Sequence, residues 1–158
     1  MTYEVEWISS NSVQETHRHL TIRQVYVWVL SSNGELVIVS KDGNSWQFPG
    51  GKPESGETWL ETASREVYEE TGIDISKTNA PLEFFGYRIV KEIEGGNVQP
   101  EYLQLRYLVG TRLSNQELTT AFENHMQQET EMIRYAKFAS VPEVMRLLPW
   151  LAKSEEYD

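Results

Sequence analysis

The chain has 158 residues, a formal net charge of −10 and no cysteine. That length suits one domain with a real core, and the absence of thiols excludes disulfides and thiol catalysis. The acidic balance argues against a broad nucleic-acid groove, which needs clustered Lys and Arg, but leaves a small phosphorylated ligand open, because a bound metal neutralises a site locally.

No apolar run is long enough to span a bilayer. The acidic start, Met1-Thr2-Tyr3-Glu4-Val5-Glu6, does not serve as the charged region of a signal peptide. A soluble cytoplasmic protein is expected; the alternative is a secreted protein whose leader lies upstream of residue 1.

In chain order, Glu4 to Ile8 alternates and predicts a short leading strand. His17-Arg18-His19 has an i,i+2 spacing that would let two imidazoles meet a metal in a strand; polar surface residues ahead of a strand are the alternative. His19 to Leu30, with Ile22, Val25, Val27 and Val29, predicts a long strand. Asn33-Gly34 marks a hairpin turn, and Glu35 to Ser40 the returning strand. Lys41 to Ser45 reads as a loop and Trp46 to Phe48 as a brief extended piece.

The next stretch is the most informative. Phe48-Pro49-Gly50-Gly51 leads in, and its glycines let a backbone carbonyl or N–H approach a metal or phosphate closely. Thr58 followed by Glu61 has capping-box spacing, so a helix starts near Thr58; Gly72 is its natural stop. Leu60, Ala63 and Val67 fall at i, i+3 and i+7 and predict the stripe that packs on the core. Glu66, Glu69 and Glu70 fall at i, i+3 and i+4 and share a face beside it. Their mutual repulsion, about 0.2–0.5 kcal/mol per i,i+4 pair, changes sign once a cation lies between them. All-oxygen ligands suit Mg²⁺ or Mn²⁺. Glu57, Glu61 and Arg65 form a second ladder, in which Arg65 can orient Glu57, Glu61 or Glu69.

Beyond this helix, Leu82 to Glu92 predicts a strand, Gly95-Gly96-Asn97 a turn, and Tyr102 to Leu113 the partner strand. Ser114 to Glu131 reads as loop with a short helical piece, and Met132 to Ala139 as a last strand. Pro142 to Leu148 predicts a short helix, and the tail from residue 150 to 158 is charged enough to fray. Exposed aromatics between Trp46 and Tyr107 would serve a base pocket or a homodimer interface. Strands around one central helix with a second helix at the end make an α/β domain over residues 1–158.

The run from Gly51 to Ile73 resembles the Nudix box, the signature of the Nudix hydrolases. That pattern is glycine, five residues, glutamate, seven residues, Arg-Glu-aliphatic, one residue, Glu-Glu, one residue, Gly-aliphatic. It is filled by Gly51, Glu57, Arg65, Glu66, Val67, Glu69, Glu70, Gly72 and Ile73. The resemblance implies the Nudix fold, a mixed β-sheet sandwiched between helices. It also implies metal-dependent cleavage of a diphosphate in a nucleoside di- or triphosphate, or in a nucleoside diphosphate linked to another group. Glu66, Glu69 and Glu70 would bind Mg²⁺ or Mn²⁺, Gly51 would add a carbonyl, and Arg65 and Glu57 would support them.

Glu66 can instead act as general base, or a later loop glutamate can: Glu117, Glu123, Glu129 or Glu131, with Glu129 and Glu131 favoured. By the same resemblance Lys41 is a candidate phosphate contact, with Arg23 and Arg88 weaker ones, and Phe48 is either a base-stacking ring or core. A small nucleotide substrate is expected and no nucleic acid; a decapping role sits poorly with the acidic balance. The alternative class is a nucleotide-binding or regulatory module without turnover, though such modules tend to lose box glutamates and none is lost here.

Overall fold

Alternation builds the centre of the molecule. Val25, Val27 and Val29 are fully buried, while Tyr26 and Trp28 between them face the other side of the same strand. Each fully buried Val, Leu or Ile contributes roughly 1.5–3 kcal/mol, so this strand is an anchor for what packs on either face.

The computed structural model describes residues 2–78, 80–112, 118, 132–151 and 156. Within them nine strands form one mixed sheet: β1 (Thr2–Ser9), β2 (Thr21–Ser31), β3 (Leu36–Ser40), β4 (Trp46–Gln47), β5 (Gly50–Gly51), β6 (Glu83–Glu94), β7 (Asn97–Val98), β8 (Tyr102–Thr111) and β9 (Tyr135–Ala139). The order is β1-β6-β8-β2-β3-β4, with β5 paired to β2, β7 to β6 and β9 to β3. At the centre β2 and β8 run parallel, Val25 opposite Leu105. The pairs around them are antiparallel.

Among the described residues two α-helices cover the two faces. α1 (Trp59–Thr71) brings Ala63 and Val67 onto Val25, Val27, Val37 and Leu105. α2 (Val141–Leu147), capped by Ser140 with Pro142 in its first turn, brings Val144 onto Leu36, Ile38 and Phe48. Leu36 and Ile38 alternate with Val37 and Val39 along β3, so the two clusters lie on opposite faces. The mixed sheet between helices is the architecture that the box resemblance implied. Among the described residues no helix is long and apolar enough to cross a membrane.

Several expectations need correction. Leu60 is 51% exposed: burial along α1 begins at Thr62, so the first turn projects beyond the packed part of the helix. His17 lies in a 3-10 turn (Glu15–His17), not a strand, and its Nδ1 meets the Tyr87 hydroxyl at 2.6 Å, which satisfies a fully buried tyrosine. After the Gly95-Gly96 turn the chain pairs first as β7 and only then as β8. The last strand is shorter than expected: it begins at Tyr135, and just ahead of it Arg134 N–H donates to the Ser40 carbonyl. Tyr87, Tyr102, Tyr107 and Phe48 are buried; the exposed rings on α1 are Trp59 and Tyr68. Leu151 and Glu156 are packed rather than frayed, at 1% and 4% exposure.

Candidate active site

The site is assembled where α1 meets β5. Thr58 caps α1: its Oγ1 accepts from Glu61 N–H at 3.1 Å, and Glu61 Oε1 accepts from Thr58 N–H at 3.1 Å. Such a cap is worth ~1 kcal/mol. It commits Glu61 to the helix end, so Arg65 is left to the other carboxylates. At the far end Gly72 adopts φ 78°, which a side chain disfavours, and closes the helix on the Tyr68 carbonyl.

Arg65 is the hub. Its Nε donates to Glu57 Oε2 at 2.6 Å and its Nη2 to Glu57 Oε1 at 3.1 Å, a two-point grip. Nη1 donates to Glu66 Oε1 at 3.0 Å and to Glu69 Oε2 at 3.3 Å, and Nη2 also reaches the Lys52 carbonyl at 3.0 Å. Glu57 accepts further bonds from Glu54 N–H and the Thr62 hydroxyl. The Arg65 guanidinium first, and these donors after it, hold the Glu57 carboxyl down at about 2. Glu57 therefore anchors the arginine and stays ionised.

Glu66 and Glu70 face the glycine strand. A Cβ on Gly51 would stand 2.6 Å from Glu66 Oε1, and one on Gly50 would collide with the Val25 carbonyl and Tyr26. Glycine at both positions is what lets α1 press its carboxylates onto β5. Gly50 N–H donates to Glu70 Oε1 at 2.8 Å. Glu70 is 6% exposed. Burial pushes its carboxyl up to about 8; Gly50 N–H opposes this, and the charges of Glu66 and Glu69 add to it. Burial also raises Glu66, with Arg65 opposing.

As these side chains are set, no three carboxylates or imidazoles among the described residues enclose an ion; Arg65 lies among Glu57, Glu66 and Glu69. The donor set nevertheless fits a hard cation. The ligating atoms are all oxygen, and the carboxylates beside β5 carry more negative charge than one guanidinium offsets. Burial raises Glu66 and Glu70 first, and the neighbouring carboxylates add to it.

The other candidates are spread more widely. Lys41 follows β3, is exposed, and lies close enough for its charge to favour ionised Glu70. Arg23 stacks over the Tyr102 ring at 4.2 Å and reaches Glu92 at 3.6 Å. Phe48 is 2% exposed, stacked on Trp28 at 4.9 Å and edge-on to Trp150; of its two possible roles, this conformation realises core packing. Glu117, Glu123, Glu129 and Glu131 lie outside the described residues.

Sequence reasoning missed Arg106 and Glu156. Arg106 is 2% exposed within the apolar strand β8, and its Nε donates to Glu156 Oε2 at 2.8 Å. The signal was available: a charged residue between Leu105 and Tyr107 in a central strand needs a buried partner. A cleft of about 850 Å³ opens elsewhere, lined by Leu30, Tyr68, Ile73, Lys77 and Arg112 among others, and none of the box carboxylates borders it.

With the geometry in place, similarity to known proteins adds to it. The model of a family described as NUDIX domain matches residues 20–156. The chain is similar to mRNA decapping complex subunit 2 of Schizosaccharomyces pombe, with 32% identity over 117 residues, 74% of this chain and 14% of that protein. It is similar to the RNA pyrophosphohydrolase of Bartonella bacilliformis, with 33% identity over 85 residues, 51% of this chain and 48% of that one. The chain thus spans less than half the length of the curated relatives it matches. Among solved structures, a Bacillus subtilis pyrophosphohydrolase shares the fold, with TM-score 0.58 and 21% identity over 93% of this chain and 87% of that one.

Proposed function

Because this chain belongs to the NUDIX family, we propose that it hydrolyses a diphosphate bond in a nucleotide, with residues 1–158 acting as one domain. The observation that supports this most directly is the Glu66–Glu70 pair pressed onto Gly50-Gly51 beside an Arg65 that is already shared among Glu57, Glu66 and Glu69. Glu66, Glu69 and Glu70, with the Gly51 carbonyl, would hold Mg²⁺ or Mn²⁺. Such ions neutralise phosphate oxygens and lower the pKa of a bound water.

The chain's own residues supply the rest. Glu57 fixes Arg65, and Arg65, itself tied to the Lys52 carbonyl just after β5, holds Glu66 and Glu69 in place. Gly50 N–H orients Glu70. Lys41 adds positive charge beside Glu70, where a phosphate oxygen would arrive. In the alternative in which Glu66 does not ligate the metal, its partly buried carboxyl, raised by that burial, would be the general base that takes a proton from an attacking water.

A second reading places the diphosphate at the 5′ end of an RNA. Two curated relatives favour it: their names specify mRNA decapping and RNA pyrophosphohydrolysis. One screen tests both readings. Nucleoside di- and triphosphates, diphosphate-linked nucleosides, and capped and 5′-triphosphorylated oligoribonucleotides are offered with Mg²⁺ or Mn²⁺, and phosphate and pyrophosphate are measured separately. Turnover that chelator stops is expected. No turnover on any of these overturns the proposal, and preference for the oligoribonucleotides over free nucleotides selects the second reading.

A further inference from the structure

We propose that the outer edge of β1 docks an extended, basic segment of another protein, which adds to the sheet as a further strand. The proposal is independent of the hydrolase reading.

The first observation is an edge left open. β1 ends the strand order, pairs with β6 and has no described strand on its other side. A free edge presents a row of backbone N–H and C=O groups, and proteins blunt such edges with short strands, bulges, proline or lysine. β1 shows none of these devices. It is eight residues long and contains neither proline nor lysine, and its register against β6 is unbroken from Thr2 opposite Ile93 to Ser9 opposite Gly86. The other side of the sheet differs: β4 has two residues, and β9 carries Lys137.

The second observation is exposure on both faces. Side chains alternate along β1, with Glu4 and Glu6 on one face and Tyr3 and Val5 on the other. From Thr2 to Glu6 every residue is exposed, Tyr3 at 58% and Val5 at 43%. Glu4 has Lys91 at 3.7 Å, near the limit of an ion pair; Glu6 stands opposite Ile89 and has no ion pair among the described residues.

The third observation is charge, which selects the occupant. In the longest antiparallel registers that a second copy could adopt on this edge, Glu4 lies opposite Glu6 of the other copy, or Glu6 opposite its own counterpart. Like charges directly opposite destabilise a strand pair, and each copy carries a net charge of −10. A strand with lysine or arginine at every second position reverses both effects, because it sets a cation opposite each glutamate. Apolar residues between those cations would lie beside Tyr3 and Val5. Main-chain bonds then supply affinity, and the alternating side chains supply specificity.

The probe is a capped, fluorescein-labelled peptide of alternating lysine and valine, eight residues long to match β1. At low salt its polarisation should rise saturably with the parent protein. Hydrogen exchange of the β1 amides should slow, and that of α1 should not change. The same peptide N-methylated at every amide keeps its charge but cannot donate, and should bind at least about tenfold more weakly. Glu4→Lys combined with Glu6→Lys should weaken binding of the unmethylated peptide by at least about tenfold. Should that variant fail to fold, as read by circular dichroism, the methylated peptide decides on the parent alone. Absence of saturable binding overturns the proposal. So does equal affinity for the two peptides, which would mean attraction to net charge alone, and so does full affinity in the charge-reversed variant. Sedimentation of the parent without peptide tests the other occupant: a monomer is expected, and a dimer that protects the β1 amides would overturn the basic partner in favour of a second copy.

Discussion

Two charged clusters flank Tyr26, and they are unbalanced in opposite senses. On the α1 side one guanidinium, Arg65, is shared by Glu57, Glu66 and Glu69, with Glu70 buried alongside. On the β6–β8 side one carboxylate, Glu156, is shared by Arg106 and Arg88. Both arrangements cost desolvation energy, since buried ions are stabilised only by good partners. Among the described residues the first sets more carboxylates than guanidinium groups beside the glycine strand, which suits a cation; the second ties one buried carboxylate to two arginines, one of them under the Trp150 ring. The difference teaches that what surrounds an ion pair, rather than the number of salt bridges, decides whether a charged cluster ties the fold together or stays open to a ligand.

The largest expected effect breaks the acidic side. Glu70→Gln keeps the acceptor for Gly50 N–H but removes the charge, and hydrolysis should fall by more than about 100-fold, the upper end for groups one shell outside a metal. The fold should persist, as read by circular dichroism. Unchanged turnover would detach the acid surplus from catalysis. Next comes the hub: Arg65→Gln frees Glu57, Glu66 and Glu69, and activity should fall by about 10–100-fold with a higher Mg²⁺ requirement. Loss of activity with an unaltered Mg²⁺ dependence would show that the arginine does not set the carboxylates.

A pH profile sharpens the comparison without touching catalysis. In the folded state Glu70 sits at about 8, above the ordinary 4.5. Between those pH values the folded protein keeps a proton that the unfolded chain has released, so stability falls as pH rises through that window. Glu57 works in the other sense: held at about 2, its contribution is present above pH 4.5 and is lost as pH drops towards 2. In chelator, the melting temperature of the parent should decline from pH 4.5 to 8, and Glu70→Gln should decline less. Identical slopes would remove the buried acid. The smallest effect is expected on the exposed flank of the same helix, where Leu60→Ser should alter stability by no more than about 0.5 kcal/mol by chemical denaturation. A larger loss would mean that this turn is packed after all.

What was legible in the sequence was local. Thr58, Glu61 and Gly72 announce the ends of α1 because capping is decided within a turn, and the structure shows that cap and that stop. The alternation in β2 and the Asn33-Gly34 hairpin are equally local. The box arginine and carboxylates are also recognisable by spacing, yet their partners are not. Spacing leaves Glu57, Glu61 and Glu69 all open as partners of Arg65, and Glu61 is the one taken by the helix end. Spacing puts Glu70 on one face with Glu66 and Glu69 beside the packed stripe, but its burial against Gly50 cannot be seen without knowing that β5 pairs with β2. The Arg106–Glu156 pair, 50 positions apart, depends wholly on tertiary placement. Lys41 and Arg23 carry no local signal separating a phosphate contact from a solvated strand end.

The parallel pairing of β2 with β8 has a kinetic consequence. Gln24 and Gln104, 80 positions apart, hydrogen-bond across the middle of the sheet. A long stretch of chain must therefore be looped before the central ladder gains anything, which slows the search for the native topology. Gly50 and Gly51 dock on that same β2. In refolding from denaturant, helical signal should return well before hydrolytic competence does, because the last contacts to form are those the catalytic loop leans on.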